Sequence, residues 1–185
     1  LQQGPLYRFR LFRIHEQDHV LALTLHHIIF DGWSFGIFLQ ELNTCYAAFS
    51  QDRTPELPDI PAEYADYSQW QRQWLEGERL QEQSAFWKER RRGVPELLSL
   101  PTDKPRPEIQ STRGGHVPLE LDNETNQALM RLARENNATL FMVLETLWAL
   151  FLARYSGMDD IVVGTPVSGR TRPEIENTIG FFVNT

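Results

Sequence analysis

Four prolines, Pro95, Pro101, Pro105 and Pro107, fall within the single stretch Val94 to Pro107. Each fixes φ and removes a backbone donor, so neither a helix nor an interior strand can run through it. The stretch is also the longest without hydrophobic periodicity, and it divides the chain into an expected first half, residues 1–93, a linker, 94–107, and a second half, 108–185. Each half must therefore find its own local order.

In the first half Tyr7, Phe9 and Leu11, then Phe12 and Ile14, alternate with arginines and His15, and Asp18 to Leu25 gives a second β-like run after the turn-prone Glu16-Gln17-Asp18. That pattern predicts a hairpin. From Ser34 the period becomes helical, because Phe35, Phe38, Leu39, Leu42, Cys45, Tyr46 and Phe49 share one stripe, with Ser34 as the expected cap. Cys45 lies in the stripe and reads as a structural thiol. Pro55, Pro58 and Pro61 make Thr54 to Pro61 a loop. Two helices should follow, the second reaching Lys88-Glu89-Arg90-Arg91-Arg92 and stopping at Gly93, where cations complement the helix end and glycine accepts the left-handed cap.

In the second half Val117, Leu119 and Leu121 alternate as a strand. Asp122 is placed to cap a helix through Asn136, and Thr139 to cap another over Leu140 to Tyr155. This last helix is apolar almost all round and is expected in a core. Asp160 introduces a short buried strand, Ile161 to Gly164, and a loop with Ser168-Gly169-Arg170 leads to a final strand over Ile179 to Thr185. Strands alternate with helices, so the fold class is α/β or α+β. The apolar, β-prone closing residues read as the interior of something larger.

Composition narrows the function. The chain has 185 residues with 18 Lys+Arg against 25 Asp+Glu, a net charge of −7, and 41% hydrophobic residues, which excludes disorder and collagen. An acidic balance without a basic stripe repels phosphate backbones, so nucleic acid is not an expected partner. No apolar run reaches the ~18 residues of a membrane span. The one cysteine excludes an internal disulfide and a thiolate metal cage, and fits a reducing, cytoplasmic setting.

Chemically able groups are densest in His26-His27-Ile28-Ile29-Phe30-Asp31-Gly32-Trp33-Ser34, between a strand and a helix. If the strand alternation continues, the two histidines point apart, His27 on the face of Leu21, Leu23 and Leu25, and only one serves a pocket. Three chemistries compete. His27 and Asp31 would share a face of a helix as metal ligands, but a third ligand is hard to place. Gly32-Trp33-Ser34-Phe35-Gly36 matches a nucleophile-elbow pattern, but the only later histidine, His116, stands beside Gly114-Gly115 with no helix after it. The third is acyl transfer without an enzyme nucleophile, with His27 as base or positioning group and Asp31 holding the loop through an ion pair or capping the helix.

Three separated stretches resemble motifs of one family, the condensation domains of non-ribosomal peptide synthetases. His26-His27-Ile28-Ile29-Phe30-Asp31-Gly32 is similar to its HHxxxDG core, Tyr64-Ala65-Asp66-Tyr67-Ser68-Gln69-Trp70 to its Tyr-x-Asp-Tyr-x-x-Trp motif, and Ile179-Gly180-Phe181-Phe182-Val183-Asn184-Thr185 to its Ile-Gly-x-Phe-Val-Asn-Thr motif. Leu100 to Pro107 is similar to the segment between the family's lobes.

The resemblance implies a two-lobed fold like chloramphenicol acetyltransferase, incomplete here at both ends, and amide-bond formation between thioesters on two carrier proteins. Epimerisation on the same fold, another HHxxxDG acyltransferase activity and a non-catalytic recruitment domain are the rival readings. It further implies His27 as the active-site histidine, with His26, Asp31 and Gly32 supporting the motif and Arg170 pairing with Asp31 across the lobes. Tyr64, Asp66, Tyr67 and Trp70 are expected to form the fold. No cofactor or metal is expected on this segment, since the substrates ride on the phosphopantetheine arms of upstream and downstream carrier domains, beside an adenylation domain.

Overall fold

The hairpin forms where the alternation places it. β1 (Tyr7–His15) and β2 (Asp18–Leu25) pair antiparallel in this computed structural model, which describes residues 3–185. Leu1 and Gln2, the first residues of the expected first half, lie outside the described residues. Tyr7 faces Leu25, Phe9 faces Leu23 and Leu11 faces Leu21, which gathers one apolar face, and an irregularity between Arg13 and His15 tightens the turn. A period of two requires this sorting of side chains once the register is set.

α1 (Gly32–Phe49) begins two residues before the expected cap. The cap is Asp31, whose carboxylate accepts the Ser34 amide, while Ser34 is the third helical residue and fully buried. α2 (Tyr64–Trp74) is held at its start by the Glu63 amide donating to Asp66 Oδ2 at 2.9 Å. Its Tyr67 enters a small core with Ile175 and Phe182, against which Ala62 and Trp70 pack. α3 (Glu78–Arg90) ends inside its basic run, and Gly93 takes the left-handed conformation at φ 79° in the turn that follows.

The chain divides into two compact units, and the division differs from the expected halves. One unit holds the residues up to Trp87 together with Thr165–Thr185, and the other holds Lys88–Gly164. The closing segment from Thr165 thus belongs with the hairpin, α1 and α2 rather than with the helices of the second unit. Within that segment the expected strand over Ile179 to Thr185 is reduced to one antiparallel bridge, Val167 with Asn184. The Gly180 and Phe182 amides donate to the Ser34 and Asp31 side chains and so cannot donate to a ladder.

In the second unit, α4 (Asn123–Glu135) is capped by Asp122, which accepts the Thr125 amide at 2.7 Å. α5 (Leu140–Ser156) is capped by Thr139 and closed by Gly157 at φ 67°. Three expectations fail here. Val117 to Leu121 and Ile161 to Gly164 have no ladder partner among the described residues, and Val117 is 95% exposed. α5 buries only Val143 and Leu152, while Phe141, Trp148, Leu150 and Phe151 stand open to solvent. Apolarity made α5 fit for a core without supplying the surfaces that would bury it.

Candidate active site

β2 ends at Leu25, and a single 3-10 turn spans His27–Ile29. The strand alternation therefore stops before the histidines, and His27 does not continue the face of Leu21, Leu23 and Leu25. The two rings are divided by hydrogen bonding instead. The His26 amide donates to the Leu6 carbonyl at 2.8 Å, and its Nδ1 accepts the Ile28 amide at 3.0 Å. That bond requires an unprotonated Nδ1, which places the proton of a neutral His26 ring on Nε2. His27 remains exposed, and no hydrogen bond engages its ring among the described residues. Its imidazole meets the Phe181 ring edge to face, centroids 5.2 Å apart at 88°.

Beneath this turn lies a closed polar cluster. Asp31 is 2% exposed; its Oδ1 accepts from the Ser34 amide at 2.8 Å and the Ser34 hydroxyl at 2.7 Å, and its Oδ2 accepts from the Phe182 amide at 3.0 Å. Burial by itself would raise the Asp31 pKa. The Phe182 and Ser34 amides, the Ser34 hydroxyl and the Arg170 charge outweigh it and hold the carboxyl below its ordinary range.

Ser34 Oγ is the centre of the cluster. It also accepts from the Gly180 amide at 3.0 Å and from Arg170 Nη2 at 2.9 Å, and its hydrogen has a second acceptor in the Gly180 carbonyl at 2.9 Å.

Arg170 closes the cluster from the far end of the sequence. Nη2 lies 3.4 Å from Asp31 Oδ1, Nη1 donates to the Ile175 carbonyl at 2.5 Å and the Thr178 carbonyl at 2.7 Å, and the guanidinium rests 4.1 Å from the Phe182 ring centroid. The side chain is 2% exposed. Burial lowers the Arg170 pKa and Asp31 opposes that, while the guanidinium stays charged throughout the working range. Both partners lie in the same compact unit.

The glycines show why this packing is specific. Gly169 has φ 68°, and a Cβ there would overlap the Phe182 carbonyl oxygen. A Cβ on Gly180 would overlap the Tyr64 ring. Gly32 is the opposite case, since a Cβ there meets nothing within 4 Å. Its backbone borders open space at the first residue of α1.

This geometry separates the three chemistries. Asp31 turns inward and spends its carboxylate on protein donors while His27 faces outward, so the two do not converge as ligands. Ser34 is sealed and engaged on every side, which removes it as an exposed nucleophile. Of the candidate groups in this stretch, the His27 imidazole is exposed and has no hydrogen bond among the described residues.

Sequence reasoning missed the parts played by Ser34, Tyr64 and Phe181. Tyr64 donates its hydroxyl to the Phe181 carbonyl at 2.9 Å, across 117 positions, and Ser34 reaches Gly180 across 146. All three sit in or beside the recognised motifs, but nothing in a linear pattern announces which motif touches which.

An exposed histidine on the turn after β2 and a buried Asp-Ser-Arg cluster at the start of α1 make up the candidate site. The family model of the condensation domain matches residues 1–185, and the chain belongs to that family. It is 52% identical over its full length to one of the linear gramicidin synthase proteins of Brevibacillus parabrevis, of which it covers 4%.

Among solved structures, 98% of the chain superposes on 41% of the X-domain from teicoplanin biosynthesis, with 31% identity and a TM-score of 0.88. With the first condensation domain of the calcium-dependent antibiotic synthetase, in complex with a substrate analogue, 97% of the chain matches 41% of that chain at 26% identity and a TM-score of 0.71. The fold is thus that of condensation domains and their chloramphenicol-acetyltransferase-like relatives. The chain spans a small part of the curated synthase and about two fifths of the solved chains it matches.

Proposed function

We propose that the domain containing this chain forms an amide bond between two carrier-bound thioesters during non-ribosomal peptide synthesis. The observation that carries the reading is His27: its ring is exposed on the turn that leads into α1, whose start is held by Asp31, Ser34 and Arg170. The acceptor amine attacks the donor thioester carbonyl, a C–N bond forms, and the C–S bond breaks with release of the carrier thiol. His27 orients the amine and accepts its proton, which passes to the departing thiolate.

Little covalent help is required of the protein. Aligning amine and carbonyl can remove about 7 kcal/mol of barrier, and an imidazole nitrogen is the group most often used to accept a proton in such a step. The partners on this reading are upstream and downstream peptidyl carrier domains, bearing phosphopantetheine, and a neighbouring adenylation domain. The setting is the reducing cytoplasm, consistent with a lone Cys45 and with no single described helix long and apolar enough to cross a membrane.

The test is His27→Ala in the complete domain, assayed with two loaded carrier proteins. Product should fall by at least about a hundredfold while the melting temperature holds, since the ring is exposed. Near-normal product would remove His27 from the chemistry, and binding without any turnover by the unmodified domain would favour recruitment. Inverted stereochemistry with no new amide would favour epimerisation.

A further inference from the structure

We infer that Phe181 is a positioning residue for His27, holding the imidazole in the orientation from which it meets the acceptor amine. The inference rests on the amide-forming reading and adds a residue to it. Phe181 occupies the unspecified position of the Ile-Gly-x-Phe-Val-Asn-Thr motif, so neither the motif nor its resemblance assigns it a task.

The backbone around Phe181 is fixed at successive atoms. Gly180 N donates to Ser34 Oγ at 3.0 Å, the Phe181 carbonyl accepts from the Tyr64 hydroxyl at 2.9 Å, and Phe182 N donates to Asp31 Oδ2 at 3.0 Å. The flanking residues Gly180 and Phe182 are buried, whereas Phe181 is only half-buried. A segment clamped on both sides of one residue presents that residue's side chain from a set place, and here the ring meets the His27 imidazole edge to face at 5.2 Å.

His27 needs such a partner. Its neighbour His26 is oriented by hydrogen bonds with backbone groups, but the His27 ring has none among the described residues. An aromatic edge-to-face contact restricts ring rotation without a conventional hydrogen bond to the imidazole. The cluster under the turn and the ring above it then share one anchor: Asp31 caps the helix after His27 and also holds the amide next to Phe181.

The experiment uses the complete domain with loaded carrier proteins and compares Phe181→Ala, Phe181→Leu and Phe181→Tyr. Loss of the ring in Phe181→Ala should lower kcat about tenfold with KM for both carriers nearly unchanged, Phe181→Leu should behave similarly, and Phe181→Tyr should restore the rate. The His27 ring resonances should shift in Phe181→Ala and return in Phe181→Tyr. Added to His27→Ala, Phe181→Ala should cost nothing further.

Unmoved His27 resonances, a loss confined to KM, or an equal loss in Phe181→Tyr and Phe181→Ala would each overturn the assignment. So would an additive loss in the double variant. If His27→Ala alone turns over normally, the amide-forming role of His27 falls with the positioning role, whereas the resonance shifts still report separately whether the ring contact exists.

Discussion

Replacing Arg170 with alanine tests whether the buried charges stabilise the start of α1, next to the turn that carries His27. The change removes the donors to the Ile175 and Thr178 carbonyls at 2.5 and 2.7 Å and to Ser34 Oγ at 2.9 Å, and leaves Asp31 without its counter-charge. Breaking a buried ion pair by deleting one partner costs about 3–5 kcal/mol, because the remaining charge stays desolvated. The 3.4 Å separation of the charges argues for the lower part of that range, and the lost carbonyl bonds argue against falling below it.

In a complete domain about two and a half times the length of this chain the slope is about 1 °C per kcal/mol, so the melting temperature should drop by roughly 3–5 °C. Arg170→Lys keeps a charge but not the planar fork that reaches Asp31, Ser34 and two carbonyls together, so it should fall between the parent and the alanine variant. The assay is thermal or urea unfolding of the complete domain, with Asp31→Ala and the double variant completing a cycle. The double variant should lose less than the sum of the single losses. A melt unchanged within about 2 °C, or strict additivity, would refute the argument that these charges stabilise one another.

Two glycines should respond in opposite ways. Gly169→Ala places a Cβ where the Phe182 carbonyl lies, at a positive φ, and should unfold the closing segment or cost more than about 2 kcal/mol in urea titration. Gly32→Ala meets no atom and lies in the first turn of a helix, so unfolding should be neutral or slightly more difficult, and any loss should be confined to turnover.

Acid should expose Asp31. Its pKa is lower folded than unfolded, so the unfolded chain binds more protons and stability rises with pH in that window. The contribution is complete above about pH 5 and is lost as pH falls through the ordinary value of about 3.9 toward the folded one. Asp31→Asn should flatten that limb of a stability curve, and an unchanged limb would show that other carboxyls carry it.

Helix caps, turns and breakers could be read in advance because each depends on partners a few residues apart. Asp122 accepts from Thr125 and Thr139 from Met142, each three positions on, and the prolines of Val94 to Pro107 need no partner at all. The hairpin was equally readable, since alternation and a short turn fix its register. The histidine-rich turn stood out by residue type alone.

Tertiary structure decided what those residues do. His26 serves the backbone and His27 stays open because the chain turns after Leu25, one residue before the alternation would have sorted them. Ser34 became the centre of a cluster, rather than a cap, because Gly180 and Arg170 arrive from 146 and 136 positions away. Segments written as strands stayed without ladders among the described residues, and a mostly apolar α5 stayed largely exposed, because burial and pairing are properties of two surfaces. Local hydrogen bonds have a fixed sequence separation and can be seen in a line of letters. Contacts made by closing a long loop have none, and they appear only when the chain has folded back upon itself.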